Sequence, residues 1–134
     1  MPVPQCETTR RELQYKGGRT VEYFAHEQLR GNGESERQTL DEHCRNTARY
    51  AAQCLQDAGL SQAAFLAGLI HDAGKCKQEF QDYLLEGKGE RGSVNHTFAG
   101  CRMILERFHG TSSDPYKDVT AELAAYAVGA HHGL

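Results

Sequence analysis

The sequence predicts an all-α fold, a compact helical bundle with a short β-hairpin ahead of it, and three observations carry that expectation. Apolar residues recur at three- and four-residue steps in several segments after residue 38. Capping residues and glycines bound those segments. The chain, 134 residues at 39% hydrophobic and 25% charged, also has the length and composition of one globular domain. One core over 1–134 is expected, with 1–37 as a hairpin and loop decoration and 38–134 as the helical part.

Residues 8 to 25 alternate around Gly17-Gly18, with Tyr15 before the pair and Val21, Tyr23 and Phe24 after it, which suits a hairpin. Residues 30 to 37, rich in glycine and charge, read as an exposed loop. Thr39 is a helix N-cap with Glu42 as its capping-box partner. The helix they start carries an apolar stripe of Leu40, Cys44, Thr47, Ala51, Cys54, Leu55 and Ala58, with Gly59 as its stop. Ser61 is the expected cap of a second helix, whose stretch from Ala63 to Ile70 is apolar nearly all round and so belongs in the centre. A short helix follows over 77–85, then a loop over 87–93. The next helix is expected to bury Phe98, Cys101, Leu105 and Phe108 and to end at Gly110. After the turn Thr111-Ser-Ser-Asp-Pro115 a last helix, burying Val119, Leu123, Tyr126, Ala127 and Ala130, leads into His131-His132.

Several classes are disfavoured. The longest apolar run, Ala63 to Ile70, is too short to cross a bilayer, and the polar start Met1-Pro-Val-Pro-Gln5 lacks the apolar stretch of a secretory signal, so no membrane partner and a cytoplasmic location are expected. The five cysteines form no C-x-x-C pair and read as reduced, packing thiols. A net charge of −3 with both signs intermixed argues against a free-standing nucleic-acid binder. It leaves room for a nuclease, because divalent cations would bring positive charge to the phosphate.

The chemistry points to His71-Asp72-Ala-Gly-Lys75 at the end of the apolar second helix. A buried helix that finishes on an imidazole and a carboxylate needs a compensating cation, and a metal ion serves. His43 borders the buried stripe of the first helix, His96 opens the helix after the loop, and His131 and His132 close the last one. Singly each has a plainer reading: His43 as a core residue, Lys75 as a partner of the helix dipole, His131-His132 as a solvated tail. His26 and His109 are set aside, since nothing in the sequence forces the first into the site and the second sits beside Gly110 at a helix end. An imidazole and carboxylate set suits zinc, manganese, iron, nickel or cobalt, and magnesium is a further candidate.

The motifs Leu40-Asp-Glu-His43, Ala67-Gly-Leu-Ile-His71-Asp72-Ala-Gly-Lys75, Phe80-Gln81 with Leu84, Asn95-His96-Thr-Phe-Ala-Gly100 and Gly129-Ala-His131-His132-Gly-Leu134 together resemble the HD superfamily of metal-dependent phosphohydrolases. Within it they look like the HD nuclease domain of the CRISPR-associated helicase-nuclease of type I systems, over most of the chain from about Phe24. The resemblance implies a nuclease acting on single-stranded DNA with two divalent metal ions, partnered by a helicase domain or subunit and a CRISPR effector complex. It implies that His43, His71 and Asp72 hold one ion, that Asp72, His96, His131 and His132 hold the other, and that Asp72 bridges. Lys75 would contact the phosphate or orient the attacking water.

Two features depart from that family. Its pattern has a further Asp downstream of the His-His pair, which here would fall after Leu134, so a fragment or a weaker first ion is expected. No G-x-x-x-x-G-K-[ST] loop of a helicase motor is present. Two alternatives stand beside the nuclease reading: an HD hydrolase of nucleotides or cyclic dinucleotides, and a non-catalytic, metal-stabilised module that binds DNA or a partner. The Gly-Tyr-Pro signature of the cyclic-dinucleotide enzymes is absent.

Overall fold

The computed structural model describes residues 21–88 and 96–131. It is helical apart from one antiparallel hairpin, and five α-helices follow that hairpin among the described residues. The hairpin pairs β1 (Phe24–Leu29) with β2 (Ser35–Thr39). The loop expected over residues 30–37 is corrected here, since Ser35, Glu36 and Arg37 belong to a strand, while the hairpin expected around Gly17-Gly18 centres on residues outside the described ones. Charge misled the reading here: on a solvated two-stranded ribbon, Glu27 pairs with Arg37 and Arg30 with Glu36, so polar residues suit these strands. Gly33, at φ +84°, supplies the left-handed backbone of the turn.

β2 runs directly into α1 (Leu40–Cys54). As expected, the Thr39 hydroxyl caps it, accepting the Glu42 N–H at 3.2 Å. The buried positions of α1 are Leu40, Cys44 and Ala48, so its stripe follows four-residue steps and leaves Leu55 exposed beyond the helix end. In α2 (Ser61–Ile70), Ser61 is the first helical residue and not the cap. Its hydroxyl donates to Ala52 O at 2.6 Å, tying the start of α2 to the end of α1. A 3₁₀ turn (Ala73–Cys76) and α3 (Gln78–Glu86) follow. α4 (Thr97–Phe108) and α5 (Pro115–Ala130) form the far side, with Asp114 capping α5 through the Tyr116 N–H at 3.0 Å.

Small residues set how closely the helices approach. α1 and α2 cross where Gly68 faces Ala48, which is fully buried; a Cβ on Gly68 would stand 2.7 Å from Ala48 Cα. α4 and α5 meet through Ile104, Ala121, Ala124, Ala125 and Val128, with Ala67 and Ile70 of α2 against them. On α4, Cys101 and Leu105 pack against this cluster as expected, but Phe98 and Phe108 are exposed, as are Val119, Leu123 and Tyr126 of α5, whose expected face is overturned. The alanine stripe 121, 124, 125, 128 has the same helical spacing as the larger residues, and close packing at Gly100 selects it. A second cluster joins the hairpin to α1 through Ala25, Leu40 and Cys44, with Leu69 of α2 packed on it. α2 therefore links both clusters, as its all-round apolar character predicts, and its C-terminal end lies at the junction. No described helix is long and apolar enough to cross a membrane.

Candidate metal centre

The end of α2 delivers His71 and Asp72 to that junction, and the surrounding elements aim nitrogens at the Asp72 carboxylate. Asp72 is only 2% exposed. Its Oδ2 lies 3.1 Å from His43 Nε2 of α1, 3.2 Å from His71 Nε2 and 2.9 Å from Lys75 Nζ. Its Oδ1 lies 3.3 Å from His131 Nε2 at the end of α5. His43 Nε2 and His71 Nε2 are themselves 3.1 Å apart.

Two carbonyls fix what those nitrogens carry. His71 Nδ1 stands 2.7 Å from Gly68 O and His131 Nδ1 2.5 Å from Val128 O, each a carbonyl three residues back on its own helix. A carbonyl only accepts, so each Nδ1 bears the proton. Neutral His71 and His131 therefore turn bare Nε2 lone pairs toward carboxylate oxygens. Lone pairs facing one another at 3.2–3.3 Å need a cation between or beside them, either a further proton or a metal ion. Metal–nitrogen bonds of about 2.0–2.1 Å set neighbouring ligand atoms roughly 3.0 Å apart at right angles and roughly 3.4 Å apart at the tetrahedral angle. The observed 3.1–3.3 Å spacings fall in that interval. The Nδ1–H to carbonyl bonds are the kind of outer contact that orients ligating imidazoles.

Two groups of converging donors emerge among the described residues, and both use Asp72. One is His71, Asp72 and His131; the other is His26, His43 and Asp72. In each, the ligand atoms lie within 4.8 Å of one another. Of the residues singled out from sequence, His43, His71, Asp72, Lys75 and His131 are thus brought together. His96 lies at the start of α4, its ring meeting that of Phe80 edge to face at 4.9 Å between centroids, and neither donor group includes it. The backbone of His96 is held close to the 3₁₀ turn, since a Cβ on Gly74 would meet His96 O at 2.2 Å. His132 lies outside the described residues. His109, set aside from sequence, pairs with Glu122 at 2.8 Å on the surface away from Asp72.

Sequence reasoning missed the positions of His26 and Gln81. Gln81, 5% exposed, accepts the Phe24 N–H at 3.0 Å and donates to Phe24 O at 2.9 Å and Lys75 O at 2.8 Å. Its amide pairs with Phe24 as a neighbouring strand would. Lys75, 4% exposed, donates from Nζ to Ala25 O at 3.2 Å as well as to Asp72, above the Phe80 ring. Once buried, an amide must find partners, and here the backbone of Phe24 and Lys75 supplies them.

Electrostatics follow from this packing. Burial would raise the Asp72 pKa, but hydrogen bonds from His71 and Lys75, with their charges, prevail and hold it well below the usual carboxylate range. Burial opposes a charge on His71, yet its bond to Asp72 and that of Nδ1 to Gly68 O raise its pKa. Burial lowers His43 and His26, and the Cys44 thiol is pushed up to about 11 by burial beside Asp72. Stability should then peak near pH 6.5 in chelator. A raised His71 stabilises the fold below its unfolded pKa and loses that contribution as pH rises through its folded value. The lowered His26 and His43 cost stability as pH falls below about 6.5, and Asp72 withdraws its contribution below about 4. Melting curves from pH 3 to 9 test this. With Mn²⁺ or Zn²⁺ the loss above pH 6.5 should reverse, because a metal ion replaces the proton. A midpoint in chelator that climbs from pH 6.5 to 8 would contradict the assignment.

The chain belongs to the HD domain family, whose sequence pattern matches residues 40–134. Membership implies metal-dependent phosphohydrolase activity, and the His and Asp groups described above suit the divalent metals that HD domains bind. Comparison with curated proteins and with solved structures finds no match.

Proposed function

We propose that this HD domain is a two-metal phosphodiesterase that cleaves single-stranded DNA, serving as the nuclease of a CRISPR interference system in the cytoplasm. The observation that carries the catalytic part is the arrangement at Asp72, with one carboxylate shared by two donor groups and imidazole lone pairs turned on both its oxygens. The choice of substrate rests on the motif series from His43 to Gly129-Ala-His131. It gains support from Phe80 and Gln81, which pack against His96 and clamp Lys75.

His43, His71, Asp72 and His131 would hold the ions, with His96 and His132 as further ligands from the resemblance. Bound ions supply Lewis-acid charge against the phosphate and make water acidic enough to attack near neutral pH. The chain's own residues prepare that chemistry. Gly68 O and Val128 O hold two imidazoles in the ligating tautomer. Lys75 keeps Asp72 ionised and fixed in direction. Burial of Asp72 and Lys75 excludes water from behind the carboxylate, so its charge acts in a poorly screened setting. A helicase domain or subunit and an effector complex would deliver the strand, because the domain is acidic overall.

One observation favours a second reading, hydrolysis of a nucleotide or cyclic dinucleotide. Beside His26 lies a cleft of about 430 Å³ carrying Glu36, Glu42 and Arg37, a size suited to one small ligand. The test is hydrolysis of labelled single-stranded DNA, a cyclic dinucleotide and a nucleoside monophosphate by metal-stripped protein given back Mn²⁺, Co²⁺, Ni²⁺ or Mg²⁺ singly. Metal-restored cutting of the strand alone is the expected result. Turnover of the small substrates alone selects the second reading, and metal binding with no turnover of any makes the domain a non-catalytic module.

A further inference from the structure

The region matched by the HD family begins at Leu40, yet a histidine from the hairpin before it has a ring nitrogen within 4.8 Å of the Asp72 carboxylate. We infer that His26 is a metal ligand, contributed by the N-terminal hairpin, that completes the site of one ion with His43 and Asp72. This rests on the metal-centre reading above and deepens it.

Three independent features point the same way. The ligand atoms of His26, His43 and Asp72 lie within 4.8 Å of one another, and the His26 and His43 rings meet edge to face at 4.7 Å between centroids. Second, the strand carries an irregularity that brings this exposed side chain beside His43. Phe24 pairs with Thr39 and His26 with Gln38, so one extra residue, Ala25, sits between two successive partners. Such a bulge breaks the alternation of faces and re-aims a side chain. Here Ala25 is buried against Leu40 and Cys44 while the next residue still reaches His43 of α1.

Third, the backbone just before His26 is clamped with a tightness a decorative hairpin does not need. Gln81 takes both the N–H and the carbonyl of Phe24, and Lys75, itself bonded to Asp72, holds the carbonyl of Ala25. The same ammonium thus fixes the shared carboxylate and the strand bearing the imidazole. This is a supporting shell of the kind that positions a metal ligand. His26 also lines the cleft with Gln28, Glu36, Arg37, Gln38 and Glu42.

The experiment counts ions. Metal-stripped wild type, His26→Ala and His26→Glu would be titrated with Co²⁺, followed by visible absorption and calorimetry, with bound cobalt measured after desalting. Wild type is expected to take two ions. His26→Ala should keep one and bind the other about 100-fold more weakly or not at all. His26→Glu, whose carboxylate reaches about as far as the imidazole Nε2, should recover the second ion, which a merely structural histidine would not allow. Two ions held by His26→Ala at wild-type affinity would overturn the role of His26 and leave the metal centre standing. A wild type that binds no cobalt would overturn both.

Discussion

Asp72→Ala should lose bound metal and turnover together, with the hydrolytic rate falling about 1,000-fold, the upper end of what removing one electrostatic contact from an active site costs. Both donor groups share this carboxylate, so its loss dismantles both. The substitution also strands a cation. Lys75, 4% exposed, would keep only Ala25 O and the Phe80 face as named partners for its ammonium. Breaking a buried pair in this way costs roughly 3–5 kcal/mol, a large share of the roughly 5–15 kcal/mol that holds a small domain together. Loss of folding could therefore imitate loss of chemistry. The double variant Asp72→Ala/Lys75→Met separates the two, since it removes both charges and keeps most of the lysine stem. It should regain a cooperative melting transition while remaining metal-free and inactive. A folded Asp72 variant that still bound two ions and hydrolysed substrate at the wild-type rate would place the centre elsewhere. His109→Ala, on the opposite side against Glu122, should change neither metal binding nor rate.

What the sequence disclosed depended on how local the physics was. Thr39 with Glu42, and Asp114 before Pro115, are signals closed within a few residues, and the helices begin where those signals stand. His71-Asp72 was legible because an apolar helix ending in two ionisable groups needs an explanation wherever the rest of the chain goes. The face of α5 was not legible. Val119, Leu123 and Tyr126 outweigh Ala121, Ala124 and Ala125 in hydrophobicity, but whether α5 presents bulk or closeness to its neighbours is decided by Gly100 on another helix. His26 was hidden for a related reason. Its position depends on a one-residue bulge and on an amide 57 residues away, neither of which leaves a periodic trace. The cleft beside it was equally invisible, because Glu36 and Arg37 look like any solvated loop until pairing puts them on a strand.

Gly100→Ala should cost the fold several kcal/mol and loosen the metal centre with it. An added Cβ there would stand 2.2 Å from Ile70 O and 2.9 Å from Val128 Cγ1. The first contact is with backbone, so no rotamer change relieves it, and α4 must move away from the end of α2. Overpacking of this kind costs about 1–3 kcal/mol and more when backbone has to shift, which in a domain of this size lowers the melting midpoint by roughly 10 °C. Ile70 precedes His71 and Val128 O holds His131, so the displaced elements are those that carry the centre's imidazoles. Metal affinity should fall along with stability. Gly129→Ala is the matched comparison: its Cβ would find only the Phe98 ring, at 3.9 Å, and a glycine within α5 carries the usual helical penalty. That variant should be unchanged or more stable by about 0.5–1 kcal/mol. Thermal melts of both, with and without Mn²⁺, check the contrast. Equal tolerance at the two positions would mean that α4 does not approach Ile70 closely, and the convergence of α2 and α5 on Asp72 would lose its mechanical basis.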